Sequence, residues 1–137
     1  MTRHSETAFL NVDLDIYSRS SLEPLVTALG RHVIVLFLGI PRRMYEAHLE
    51  IAGIPKSADQ VIRKFVRLID ALPPAARKHW DRANRRDFSI GVEAGTERSV
   101  LDIAIESETV AAAARLNARI VITVYTAQPP AGQPPSR

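Results

Sequence analysis

The stretch Ser99–Thr126, SVLDIAIESETVAAAARLNARIVITVYT, decides the fold, because Leu10–Leu38 carries the same pattern. An offset of 87 positions places Leu14-Asp15-Ile16 on Leu101-Asp102-Ile103, Ser20 on Ser107, Leu29 on Leu116 and Gly30 on Asn117. Val33-Ile34-Val35 falls on Ile120-Val121-Ile122. Each copy, spanning about 10–38 and 97–125, reads as a strand, a short helix and a parallel strand. Gly30 and Asn117 end the two helices. Glycine and asparagine are the residues that best tolerate the left-handed backbone of a helix C-terminal cap.

Outward from the repeat, Leu10, Val12, Leu14 and Ile16 alternate with Asn11, Asp13 and Asp15, the period of a half-buried strand. Ser20 or Ser21 starts the first helix, with Glu23 placed to complete a capping box. Val33–Leu38 is apolar throughout and predicts a central strand covered on both faces. Tyr45, Ala47, Leu49 and Ile51 alternate with Glu46, His48 and Glu50 in a third strand. Ser57, with Gln60 three places on, opens the longest helix, whose stripe is Val61, Ile62, Phe65, Val66, Leu68, Ile69 and Leu72. Pro73-Pro74 starts another helix, from which Ala76, His79, Trp80 and Ala83 pack inward while Lys78, Arg82, Arg85 and Arg86 mostly face water. Phe88, Ile90, Val92 and Ala94 form a strand that turns at Gly95–Arg98 into the second copy.

This order predicts an α+β fold: two pseudo-repeated βαβ units in a mixed sheet of about six strands, with helices mainly on one face. It is a sandwich related to the ferredoxin-like plan. One domain over 8–126 is expected, with a flexible start at 1–7 and a disordered Pro-rich tail at 127–137, AQPPAGQPPSR.

Composition narrows the function. The absence of cysteine from all 137 residues removes disulfides, thiolate catalysis and cysteine-ligated zinc. The first residues, MTRHSETAF, lack the basic start and apolar run of a signal peptide, and no apolar stretch reaches membrane-spanning length, so a cytoplasmic protein without membrane contact is expected. No phosphate loop, dinucleotide glycine pattern or nucleophile elbow occurs, and no cofactor, metal or catalytic residue is assigned. The net charge of +3 is unevenly spread: 56–86 is +6 and the remainder −3.

Strand parity then splits the molecule electrically. The parity opposite the helices holds Asn11, Asp13, Asp15, Glu46, His48, Glu50, Glu93, Asp102 and Glu106, with Tyr17, Arg119, Val121, Thr123 and Tyr125. An acidic sheet face bearing tyrosines suits a basic protein partner. The candidate contacts are Asp13, Asp15 and Asp102, anchored by Tyr17 and Tyr125. Asp15 and Asp102 occupy equivalent positions of the two copies and are expected to point outward from one layer.

The pattern LDI, helix, Leu-Gly or Leu-Asn and apolar strand, ending here in Leu116-Asn117-Ala118 and Ile120–Tyr125, resembles a group of small bacterial stand-alone domains of unknown function. They are built from duplicated βαβ units, and some are regarded as immunity proteins of polymorphic toxin systems. The resemblance covers roughly residues 8–126 and implies a non-enzymatic binding protein, an immunity-type inhibitor masking a toxin through its acidic sheet face. Two other readings stand beside it. One is a small-molecule- or metal-dependent enzyme using His48, Glu46, Asp15 and Asp102 of the same face. The other, less favoured by the acidic sheet, is nucleic-acid binding through Arg63, Lys64, Arg67, Arg82, Arg85 and Arg86. The apolar Ile34, Leu36 and Leu38 leave a homodimer through the sheet open.

Overall fold

A computed structural model describes residues 5–54 and 56–126. The elements in chain order are β1 (Ala8–Ser18), α1 (Glu23–Leu29), β2 (Val33–Gly39), β3 (Tyr45–Ile51), α2 (Ala58–Asp70), α3 (Pro74–Arg82), β4 (Arg85–Glu93), α4 (Ser107–Arg115) and β5 (Arg119–Tyr125). A short 3-10 turn, Gly30–His32, joins α1 to β2. The fold is α+β, with four α-helices and one mixed sheet among the described residues.

The sheet has five strands in the order β2-β3-β1-β4-β5, one fewer than the alternation predicts. β1 is antiparallel to both β3 and β4, β2 is antiparallel to β3, and β5 is parallel to β4. β1 and β2 therefore run in the same direction, as a helical crossover requires, with β3 inserted between them. The first four strands follow the ferredoxin-like split βαβ arrangement, and α4 with β5 extends it by one parallel strand.

The missing strand is the one expected over Leu101–Ile103. Both edges of β1 are taken by β3 and β4, and the free edge of β4 is taken by β5, so the segment has no ladder beside β4 to join. It has no strand pairing, and Ile103 and Ile105 pack against the core. Alternation of apolar residues fits any extended segment laid on a greasy layer, hydrogen-bonded or not. The second parallel unit of the protein is β4-α4-β5. Gly30 and Asn117 both take positive φ, 57° and 56°, but Gly30 is itself the C-cap of α1, whereas Leu116 caps α4 and Asn117 follows it.

The second difference concerns β2. It lies at the sheet edge, not in the centre, with Ile34, Val35, Leu36, Phe37 and Leu38 between 39% and 50% exposed. An uninterrupted apolar run has no parity to say which faces are covered, so its composition alone does not separate a buried strand from a greasy edge.

Helices cover one face of the sheet. Val12, Leu14 and Ile16 of β1, Ala47 and Leu49 of β3 and Phe88, Ile90 and Val92 of β4 pack beneath Val61, Ile62, Phe65, Val66 and Ile69 of α2 and Leu25, Val26 and Leu29 of α1. The Phe65 and Phe88 rings meet at 6.0 Å between centroids. Ser57 caps α2 by accepting from the Gln60 amide, as its position predicts. The start expected at Ser20 or Ser21 differs, since Leu22 holds the N-cap of α1, and Glu106 holds that of α4. Ser21 instead accepts from the Glu23 amide, and Asp59 of α2 accepts from the Glu106 amide.

Two further readings change. Arg86, expected in water, is buried: its Nη1 donates to the carbonyls of Trp80 (3.0 Å) and Ala83 (2.7 Å), and its Nε to that of Asn117 (3.3 Å). Together with the Trp80 indole, which donates to the Leu116 carbonyl, it joins the end of α3 to the α4–β5 turn. Within the expected loose start, Ser5 and Thr7 are tied down: the Ser5 carbonyl accepts from the Glu97 amide and the Thr7 hydroxyl from the Gly95 amide. A side chain at Gly95 would collide with the backbone of 5–7. Residues 1–4 and the tail 127–137 lie outside the described residues.

Candidate functional site on the open sheet face

The face opposite the helices is set by strand parity, and register places its side chains. Asp13 stands across from Glu50 on β3 and Ser89 on β4; Asp15 stands across from His48 and Asp87; Tyr17 stands across from Glu46 and Arg85. Buried Val12, Leu14 and Ile16 fix this choice, because a one-residue slip would turn the aspartates into the core.

His48 is the centre of the face. Its Nδ1 lies 2.7 Å from Asp15 Oδ1 and its Nε2 3.0 Å from Glu46 Oε1. Ionised carboxylates only accept, so holding both bonds requires both ring nitrogens to donate, the imidazolium form. Burial pulls the imidazole down, but the hydrogen bond and charge of Asp15, followed by those of Glu46, outweigh it and leave His48 above its usual range. Tyr17 meets the ring edge-on at 5.9 Å and Phe37 tilts against it at 5.8 Å. Arg85 stacks on Tyr17, 3.9 Å from the ring centroid.

Asp13 is one turn of the pleat away and has no ion-pair partner among the described residues. Burial, then the neighbouring charges of Asp15 and Glu50, push it up to about 6, against a smaller lowering by His48. With Leu10, Asn11, Glu50, Ser89, Gly91 and Tyr125 it lines a shallow recess of about 200 Å³. Asn11 Nδ2 donates to Glu50 in the same recess, at 3.2 Å. At the other end of the sheet, Asp87 pairs with Arg119 (2.8 Å) and Arg85 (3.2 Å).

Four of the five sequence-predicted contacts therefore share this face: Asp13, Asp15 and Tyr17 on β1, and Tyr125 on β5 opposite Glu93. The fifth does not. Asp102 is exposed in the connection between β4 and α4, outside the sheet, and does not form a layer with Asp15. Glu106, also expected on this face, is the N-cap of α4.

Parity alone marked His48 as a polar strand residue; its clamp depends on the register that sets it opposite Asp15. Among the described residues no group of three or more histidine or acidic side chains is arranged to hold a metal ion. The basic group proposed for nucleic acid is dispersed: Arg85 stacks on the open face and Arg86 is buried, while Arg63 is bonded to Asp59 and Thr109. No helix among the described residues is long and apolar enough to cross a membrane. Comparison with family models, characterised proteins and solved structures gave no match to this chain.

Proposed function

We propose that the chain is a non-enzymatic protein-binding module whose open sheet face receives a basic partner, most concretely an immunity-type inhibitor that masks a bacterial toxin. The observation that carries this reading is Asp13: a half-buried carboxylate beside Asp15 and Glu50, with no cation paired to it among the described residues. A lysine or arginine entering its recess relieves that repulsion and releases the proton that Asp13 holds near pH 6. Tyr17 and Tyr125 flank the acids and supply contact area with little side-chain entropy to lose.

The clamp on His48 supports a binding role over general-base chemistry. Both ring nitrogens are committed to carboxylates, so neither is free to take a proton from a substrate.

A growth assay tests the proposal. Basic toxins encoded beside the gene are expressed with the wild-type chain or with Asp13→Lys/Asp15→Lys. Rescue by the wild type and loss of rescue in a variant that still melts cooperatively is the expected result. Rescue by both would remove the open face from the account, and toxicity with both would remove the immunity role.

A further inference from the structure

We propose that the outer edge of β2 takes an added strand from a partner protein whose apolar segment is flanked by acidic residues. The backbone edge of β2 adjoins the acidic face where Phe37 touches His48, but the inference does not depend on the function proposed for that face.

β2 pairs with β3 on one side only, so alternate backbone amides and carbonyls along its other side point away from the sheet. Ile34, Val35, Leu36, Phe37, Leu38 and Ile40 are 39–53% exposed, and no charged residue interrupts 33–41. Edge strands in monomeric proteins are guarded by charge, proline, bulges or shortness. A bulge at Leu36 bends this edge but adds no charge to it. An apolar edge with no charge along it is a template for strand addition on either side of that bulge.

Charge at both ends selects the occupant. Arg31 and His32 precede the strand, and they line a cavity of about 420 Å³ with Lys64, Arg67 and the apolar Ile51 and Leu68. Arg42 and Arg43 follow the strand. None of Arg31, Arg42, Arg43, Lys64 and Arg67 has an ion pair among the described residues. A second copy fits poorly: antiparallel pairing of two β2 edges sets Arg31 and His32 of one against Arg42 and Arg43 of the other, at both ends. A segment with acidic residues on either side of an apolar centre meets both basic ends.

The test is fluorescence anisotropy with the full chain and synthetic peptides of about nine residues, alternating valine and threonine with two glutamates at each end. The expected result is binding that weakens roughly tenfold when the glutamates become lysines, and similarly in Arg42→Glu/Arg43→Glu. N-methylation of alternate peptide amides abolishes it, whereas Asp13→Lys/Asp15→Lys leaves it intact. Equal binding of acidic and basic peptides, undiminished binding of the N-methylated peptide, or no binding overturns the proposal. So does a reversible dimer in sedimentation that Ile34→Asn/Leu36→Asn dissolves, which would assign the edge to a second copy.

Discussion

His48 and Asp15 face each other across β3 and β1, and the 2.7 Å contact between them sets the charge state of the open face. The imidazole is held above its ordinary range because the two carboxylates outweigh its burial. The sign follows: a raised histidine contributes stability that is full below its unfolded value of 6.5 and is lost as pH rises through the folded value. Titration of the His48 ring by NMR should give a pKa above 6.5, and Asp15→Asn should lower it. A value below 6.5 in the wild type would contradict the clamp.

Asp13 gives stability a second pH dependence of the same sign. Its folded pKa of about 6 lies above the unfolded 3.8, so its contribution is present below pH 3.8 and is lost as pH rises through about 6. Asp13→Asn removes that loss. With solvent screening of a half-exposed group, the variant should gain about 1 kcal/mol at pH 7.5, or roughly 3 °C in Tm. The gain should vanish at about pH 3.5, where the wild-type carboxyl is protonated. Melting curves at the two pH values check both halves.

Arg86 makes a stability prediction. Its guanidinium serves the carbonyls of Trp80, Ala83 and Asn117, and burial holds its pKa below the usual arginine range. Arg86→Ala removes the guanidinium donor from the Ala83 and Asn117 carbonyls, while the Trp80 carbonyl keeps the Ala83 amide, and opens a cavity beside Trp80, at a cost of about 2–4 kcal/mol. Arg86→Lys should recover only part of this, because an ammonium lacks the planar fork. Urea denaturation of the three proteins is the measurement.

Gly30 and Asn117 separate two uses of a left-handed residue. Gly30 adopts φ 57° and ψ −136°, a region that side chains disfavour, so Gly30→Ala should cost about 1–2 kcal/mol. Asn117 has a φ of 56°, which asparagine tolerates, and Asn117→Gly should change stability by less than about 0.5 kcal/mol. Both are read from equilibrium unfolding.

How much of this was legible in the sequence depended on whether a local pattern had one physical meaning. Alternation in β1 and β3 did, since only one parity could be buried, and it placed Asp13, Asp15, Glu46, His48 and Glu50 on one face. Ser57 with Gln60 and the positive φ of Gly30 and Asn117 followed from local chemistry, but the same chemistry put the α1 cap at Ser20 or Ser21, where Leu22 holds it. Val33–Leu38 was not: a continuous apolar run carries no face information, and the edge position of β2 follows from β3 inserting beside β1. Leu101–Ile103 alternates like β1 but found no free ladder beside β4, which removed Asp102 from the site. Arg86 was hidden for a third reason: its partners are backbone carbonyls, of Trp80, Ala83 and Asn117, and a carbonyl acceptor leaves no mark in the residue pattern. The pairing of His48 with Asp15 required register, which parity does not supply.

The central claim, that a basic partner docks on the open sheet face, is tested most directly by carbodiimide footprinting of carboxylates in the free chain and with an excess of a basic toxin domain encoded beside its gene. The account predicts that Asp13 and Glu50 lose reactivity on binding while exposed Asp102 and Glu108 keep theirs. Unchanged reactivity at Asp13 and Glu50, with protection at Asp102 or Glu108 instead, would contradict it.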